Sequence, residues 1–227
     1  MLFEILNGSE MGFAEIITYV ISCLVVIFIT LPIHELAHGF VANKLGDPTA
    51  RYQGRLTFNP LAHVDYIGAF SIIVFGFGWA KAVPVNMGNF KNPRRDMAIT
   101  ALAGPVSNLL MALVCNIIVC LFVYVIGFKS IVLYYIVMFF NYISQISVSL
   151  AVFNLIPIPP LDGSRIISAF LPPRIYYNLM RYERYFFMLL IVLMASDVLA
   201  LPLSYAIGSV DSALFWLASL PFRLIMR

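Results

Sequence analysis

The segment His34-Glu35-Leu36-Ala37-His38 places two imidazoles four residues apart, with a carboxylate beside the first. On a helix, residues four apart share one face, so both histidines can reach a single metal ion. Glu35 then stands beside any water that the ion polarises and can take its proton. Those residue types at that spacing could carry out a zinc-assisted hydrolysis. The setting sharpens the reading. The run from Phe13 to Leu31 is almost wholly Ile, Val, Leu, Phe and Ala, and it passes through Pro32 and Ile33 straight into the motif. Ionisable groups at the end of a membrane-length apolar segment are expensive, and by default they mark function.

Two histidines do not complete a catalytic zinc site, which usually has three protein ligands and one open position. His63 is the only other histidine, and Glu15, Asp162 and Asp197 are the carboxylates at or near membrane depth. Asp162 stands out by its approach, Asn154-Leu155-Ile156-Pro157-Ile158-Pro159-Pro160-Leu161-Asp162-Gly163. The prolines forbid regular helix and stiffen the segment. A new helix can start after them, with the Asp162 carboxylate at its N-terminus.

The elements that must position these groups are membrane spans. Of 227 residues, 62% are hydrophobic and 11% charged, with a mean hydropathy of +0.93. A globular domain carries about 25% charged residues, so the composition predicts an integral membrane protein in one domain, 1–227. A span needs about 20 apolar residues. Four stretches qualify, 13–33, 99–127, 131–155 and 185–207, and a fifth, 209–222, is short and holds Asp211. The glycine-rich 67–80, with Gly68, Gly76 and Gly78 ahead of Pro84, predicts a re-entrant loop or a β-hairpin lining the cavity. Alternation in Arg55-Leu56-Thr57-Phe58 predicts a short strand ended by Asn59-Pro60. The fold class expected is therefore an all-α membrane protein, a polytopic helical bundle of about five transmembrane helices with that one extra segment.

Five spans would put every Lys and Arg except Lys129 on one side, which the positive-inside rule makes cytoplasmic. The N-terminus would then lie outside, the C-terminus inside, and H-E-x-x-H at the cytoplasmic end of the first span. The first twelve residues carry Glu4 and Glu10 and no basic residue, so no cleavable signal peptide is expected. Cys23, Cys115 and Cys120 all lie in apolar runs without a C-x-x-C pair, which argues against a disulfide framework or a cysteine zinc site. The net charge of +3 forms no basic stripe, so no nucleic-acid partner is expected; the surroundings are membrane lipid.

The chain resembles the site-2 protease family of intramembrane zinc metalloproteases. The resemblance rests on motifs in order: His34-Glu35-Leu36-Ala37-His38-Gly39; Gly54-Arg55-Leu56-Thr57-Phe58-Asn59-Pro60 with His63 and Asp65; Gly78-Trp79-Ala80-Lys81 with Pro84-Val85-Asn86; Ala103-Gly104-Pro105 with Asn108; and Asn154-x-x-Pro157-x-Pro159-x-Leu161-Asp162-Gly163. These cover 34–163, and without a PDZ or CBS insertion the chain looks like the minimal members of the family. The resemblance implies that His34, His38 and Asp162 ligate Zn²⁺. It implies that Glu35 is the general base and later protonates the leaving amine, and that Asn154 serves the oxyanion or the substrate backbone. His63 and Asn108 stand as substrate-binding or supporting residues of the site, against the plainer readings of a structural histidine and an interhelical amide. The implied activity is cleavage of a transmembrane protein or a signal-peptide-like substrate, in a bacterial or archaeal cell membrane, with the active site near the cytoplasmic face. The rival reading is a metal-binding membrane transporter. It fits less well, because the polar groups gather at one membrane face and not around the midplane of several spans. Asp197, in the fourth expected span, has no partner assigned to it.

Overall fold

The helix that begins at Phe13 does not stop where the apolar run stops. In the computed structural model, α1 (Phe13–Val25) passes through one wide turn, Val26–Thr30, into α2 (Leu31–Leu45) without a break. The wide turn has a cause in the sequence. Pro32 has no N–H to return to a carbonyl one turn back, and just ahead of it Leu31 N–H bonds the Val26 carbonyl, five residues away. Gly46, with φ 110°, ends α2 in the left-handed conformation that a side chain would resist. The structure describes residues 12–75, 78–127, 130–167 and, apart from 168, 173, 176–178, 180 and 197, residues 169–225.

After the one-turn α3 (Thr49–Tyr52) and a loop comes α4 (Tyr66–Phe75). The long α5 (Pro93–Cys120) continues through a second wide turn, Leu121–Ile126, to Gly127 at φ 72°. Helix α6 (Ile131–Asn154) starts on Ser130, whose hydroxyl accepts from Leu133 N–H. The proline-rich stretch is irregular, and α7 (Asp162–Ile167) begins at the expected aspartate. Helices α8 (Glu183–Ala195) and α9 (Ala200–Ile225) complete the chain.

The core is the seam of α1–α2, α5 and α6. Tyr19, Cys23, Val26, Ile27 and Leu31 pack there with Ile72, Cys115, Ile143, Ile146 and Leu150. The three cysteines are buried. The opposite face of α1 and its wide turn exposes Phe13, Ile17, Ile21, Leu24 and Phe28, and that of α5 exposes Ile99, Leu102, Val106, Leu110 and Val114. Apolar stripes of that length at helical spacing need lipid against them. Among the described residues, four helical segments are long and apolar enough to cross a bilayer: Phe13–Leu45, Pro93–Ile126, Ile131–Asn154 and Ala200–Leu224. The chain is an all-helical integral membrane protein.

Several details differ from expectation. The stretch 185–207 is not one span. Helix α8 ends at Ala195, with the Ser196 hydroxyl turned back onto the Leu193 carbonyl. Its 13 residues reach about 20 Å, short of a hydrocarbon core of about 30 Å. Helix α9 takes over residues 200–207 and joins them to the short fifth candidate, so the described residues hold four helices long enough to span, against about five expected. Asp197, at the junction, and Lys129 lie outside the described residues, as does Gly76.

The direction of α9 also departs from the charge argument. Its start packs with the cluster of Phe153, Leu161 and Leu190 through Leu199 and Leu203. Its far end lies against the last turn of the α5 segment, where Phe222 stacks on Tyr124 at 6.2 Å. Helix α9 therefore runs away from the Asp162 end of the bundle. Arg223 ends opposite H-E-x-x-H, not beside it.

No strand occurs among the described residues. Residues 55–58 form an irregular loop held by other contacts, and within 67–80, expected as a re-entrant loop or a β-hairpin, residues up to Phe75 belong to the helix Tyr66–Phe75. The helix has a cap that glycine content obscured: Asp65 Oδ1 accepts from the N–H groups of Ile67 and Gly68. The glycines serve a close crossing. A Cβ on Gly68 would strike the Trp79 backbone, and one on Gly78 would strike Gly68.

Candidate metal centre and active site

Helix α2 presents His34, Glu35 and His38 inward, all three buried. His38 Nδ1 lies 2.8 Å from the Thr100 carbonyl of α5. A carbonyl only accepts, so Nδ1 carries the proton and Nε2 holds a lone pair. That lone pair points at two others: His38 Nε2 is 3.1 Å from His34 Nε2 and 3.2 Å from Asp162 Oδ2, and His34 Nε2 is 3.4 Å from the same oxygen. Ligand atoms about 2.0 Å from a tetrahedral zinc stand roughly 3.3 Å apart. The donor types, their spacing and the absence of any other partner for Asp162 Oδ2 fit a zinc ion. His63, Glu15 and Asp211 take no part in this cluster.

Two glycines let these groups meet. Gly104 on α5 lies flat against the metal pair; a Cβ there would collide with His38 Nε2 and stand 2.6 Å from His34 Cε1. Gly163 lets α7 start against the end of α6, where a Cβ would strike the Leu155 and Ile156 carbonyls.

Glu35 projects beside the pair, and its Oε2 accepts from the Val83 backbone N–H at 2.8 Å. Val83 belongs to residues 78–86, which run without turn or bend past α2. With α2, α7 and the start of α8 this strip walls a cavity of about 860 Å³. The lining is mostly apolar, with Leu31, Ala80, Val83, Phe153 and Phe187 around His34, Glu35, His38, Asn154 and Asp162. Trp79 of the strip meets Phe187 of α8 edge to face at 6.1 Å. The volume suits a short stretch of peptide.

The remaining site candidates divide. Asn154 lines the cavity, and its Nδ2 donates to the Leu150 carbonyl at 2.9 Å. An amide carries two N–H groups and a carbonyl oxygen, so it keeps a donor and an acceptor for substrate. His63 is fully buried outside the cavity lining, and its Nε2 bonds the Thr57 carbonyl at 2.9 Å. Asn108 is fully buried one turn beyond Gly104, and neither its oxygen nor its nitrogen has a partner among the described residues. Sequence reasoning missed Thr100, Gly104 as a spacer, and Val83. Gly104 could have been found within Ala103-Gly104-Pro105. Thr100 and Val83 contribute main-chain atoms and carry no side-chain signal.

Comparison with known proteins agrees with this chemistry. The family description "Peptidase family M50" matches residues 122–195, which include Asn154 and Asp162. A putative zinc metalloprotease of Bacillus subtilis, YwhC, is 39% identical over 177 residues, covering 77% of this chain and 80% of that protein. A putative zinc metalloprotease of Mycolicibacterium smegmatis, Rip2, is 26% identical over 178 residues, covering 75% of this chain and 65% of that protein. No solved structure matches the chain.

Proposed function

The chain belongs to peptidase family M50, the site-2 proteases, and from that premise we propose that His34, His38 and Asp162 hold its zinc while Glu35 acts as general base. It is a membrane-embedded zinc metalloprotease acting on protein substrates. The observation that carries the residue assignment is the triangle of three lone pairs 3.1–3.4 Å apart beside a carboxylate in an apolar cavity.

Zinc, when bound, supplies a Lewis acid that makes water nucleophilic near neutral pH. Glu35 takes the proton from that water as it attacks the peptide carbonyl carbon. It then delivers the proton to the nitrogen as the C–N bond breaks, leaving a carboxylate and an amine. Asn154 offers its free N–H to the developing oxyanion or to the substrate backbone. His38 is held in the ligating tautomer by Thr100.

Register supports a role for Asn108 behind the metal. The pairs His38–Thr100 and His34–Gly104 step antiparallel along α2 and α5, so Asn108 stands one rung beyond, at the level of Thr30. His63 supports the site from the loop that carries the strip, without reaching zinc.

The substrate class we infer is a transmembrane helix or a signal-peptide-like remnant, unwound at the bond to be cut, because the cavity is apolar and sits at one end of the bundle. The concentration of Lys and Arg at that end supports a cytoplasmic active site in a bacterial or archaeal cell membrane. The chain, 1–227, acts as one protease domain. Glu35→Gln tests the reading: it keeps the shape and the zinc but cannot take the proton. Cleavage of a transmembrane model substrate should fall roughly 10²–10⁴-fold at unchanged zinc content. Activity within threefold of the parent protein would remove Glu35 from the mechanism.

A further inference from the structure

We propose that the strip Ala80–Asn86 is the positioning element of the general base, with the Val83 main-chain N–H fixing Glu35 Oε2 so that the other oxygen faces the metal. The proposal rests on Glu35 being the base, as assigned above. A glutamate side chain has three rotatable bonds, and Glu35 lines an 860 Å³ cavity, so its tip needs a hydrogen bond to fix one orientation. Among the described contacts its one hydrogen bond is to Val83. A base displaced by about 1 Å can lose on the order of 10²-fold in rate.

The strip is built to hold that one donor still, because it is clamped on both sides of Val83. On one side, Lys81 N–H donates to the His63 carbonyl at 2.7 Å, and Arg55 Nη2 donates to the Lys81 carbonyl at 2.7 Å. Lys81 and Val83 are two residues apart, and both amides turn toward the protein, as in extended backbone. His63 is itself pinned to Thr57. On the other side, Asn86 N–H donates to Asp47 Oδ2 at 2.7 Å. Asp47, just past the end of α2, is fully buried and also holds Asn89 Nδ2 at 2.7 Å and both the hydroxyl and the N–H of Thr49. The strip is thus tied at its far end to the segment that follows the base's own helix.

Space for it comes from Gly39, one turn after Glu35. A Cβ there would stand 2.6 Å from Leu56 Cδ2 and 3.1 Å from Val83 Cγ1. The glycine that follows H-E-x-x-H therefore lets the strip approach α2 within hydrogen-bond reach of Glu35.

The decisive experiment removes the one N–H while keeping every side chain. Val83 is replaced by its α-hydroxy acid, which turns the amide into an ester, in the full-length zinc-loaded protein cleaving a transmembrane model substrate. Expected are a fall in kcat of roughly tenfold or more, a KM within about twofold and zinc near one per chain. In a Glu35→Asp background the shortened carboxylate cannot reach Val83, so the ester should cost less than about twofold further. An ester that keeps full kcat, or one that costs the same in both backgrounds, overturns the proposal. If Glu35→Gln itself stays active, the assignment of the base has failed instead. If the ester variant does not fold, Arg55→Ala loosens the same strip from the side. It should lower kcat at constant KM and zinc, with partial recovery in Arg55→Lys, and an Arg55→Ala protein with parental kcat overturns the proposal equally.

Discussion

A Cβ at position 104 would have to share space with both imidazoles of the metal pair. Gly104→Ala should therefore push the histidines out of register and weaken zinc binding about 10–100-fold, the usual effect of disturbing what orients a ligand. Gly208→Ala in α9 adds a methyl to open space and should leave zinc affinity unchanged. Competition with a graded chelator reads both. The third ligand is tested by the same assay. Asp162→Ala leaves two histidines, and zinc should wash out under mild chelation. His63→Ala should keep zinc near one per chain, because its imidazole bonds Thr57 and not the cluster. Retention of zinc by the Asp162 variant together with loss from the His63 variant would reassign the third ligand.

At the scale of elements, the clamp around Asp47 predicts a pH dependence of stability. Burial works to raise this carboxyl, but the hydrogen bonds from Thr49, Asn89 and the Asn86 amide outweigh it and hold it below the usual carboxylate range. Its folded pKa is therefore lower than its unfolded one. The contribution is fully present above an unfolded value of about 3.9 and fades as pH falls through the depressed folded value. Asp47→Asn should cost about 1–3 kcal/mol near neutral pH, and the gap from the parent protein should narrow below about pH 4. Thermal unfolding in detergent from pH 3 to 7 measures it, and a gap that is constant with pH would detach the effect from ionisation. Elements whose signals are long or repeated were legible beforehand: the first three spans, the metal helix, and the helix opening at Asp162 after a run of prolines. Elements decided by one cap or one break were not. Asp65 makes α4 a helix where the glycines suggested a re-entrant loop or a hairpin, and the turn after Ala195 splits a stretch that hydropathy reads as continuous. The strip 78–86 was legible as a motif, but the Val83 contact to Glu35 was not, because it is made by a main-chain group.

For the whole molecule, the path of α9 changes how the protein sits in its membrane. The stacking of Phe222 on Tyr124 puts the end of α9 level with the α5–α6 turn, across the bundle from the loop ahead of α5. In a protein whose three native cysteines are replaced, Asn92→Cys should be labelled only from the cytoplasm. Ser130→Cys and Leu224→Cys should be labelled only from outside. Leu224 labelled with Asn92 would mean that α9 does not cross, and a full reversal would invert the orientation. The placing of Arg223 on the crowded side rests on five crossings, and four would put it on the other, while Lys44, Arg51, Arg55, Lys81, Lys91, Arg94 and Arg95 keep to the loops that follow H-E-x-x-H either way.

The acceptor that selects the tautomer of His38 is the main-chain carbonyl of Thr100, and this bears on how the metal site can drift during evolution. A side-chain acceptor can be lost in a single codon change. A carbonyl cannot, so position 100 is free to vary among residues that keep the helix and fit its buried surroundings. The selective constraint moves from an identity to a trajectory: the path of α5 past α2. Substitutions that bend α5 are therefore expected to be purged more strongly than substitutions of the residue that makes the contact.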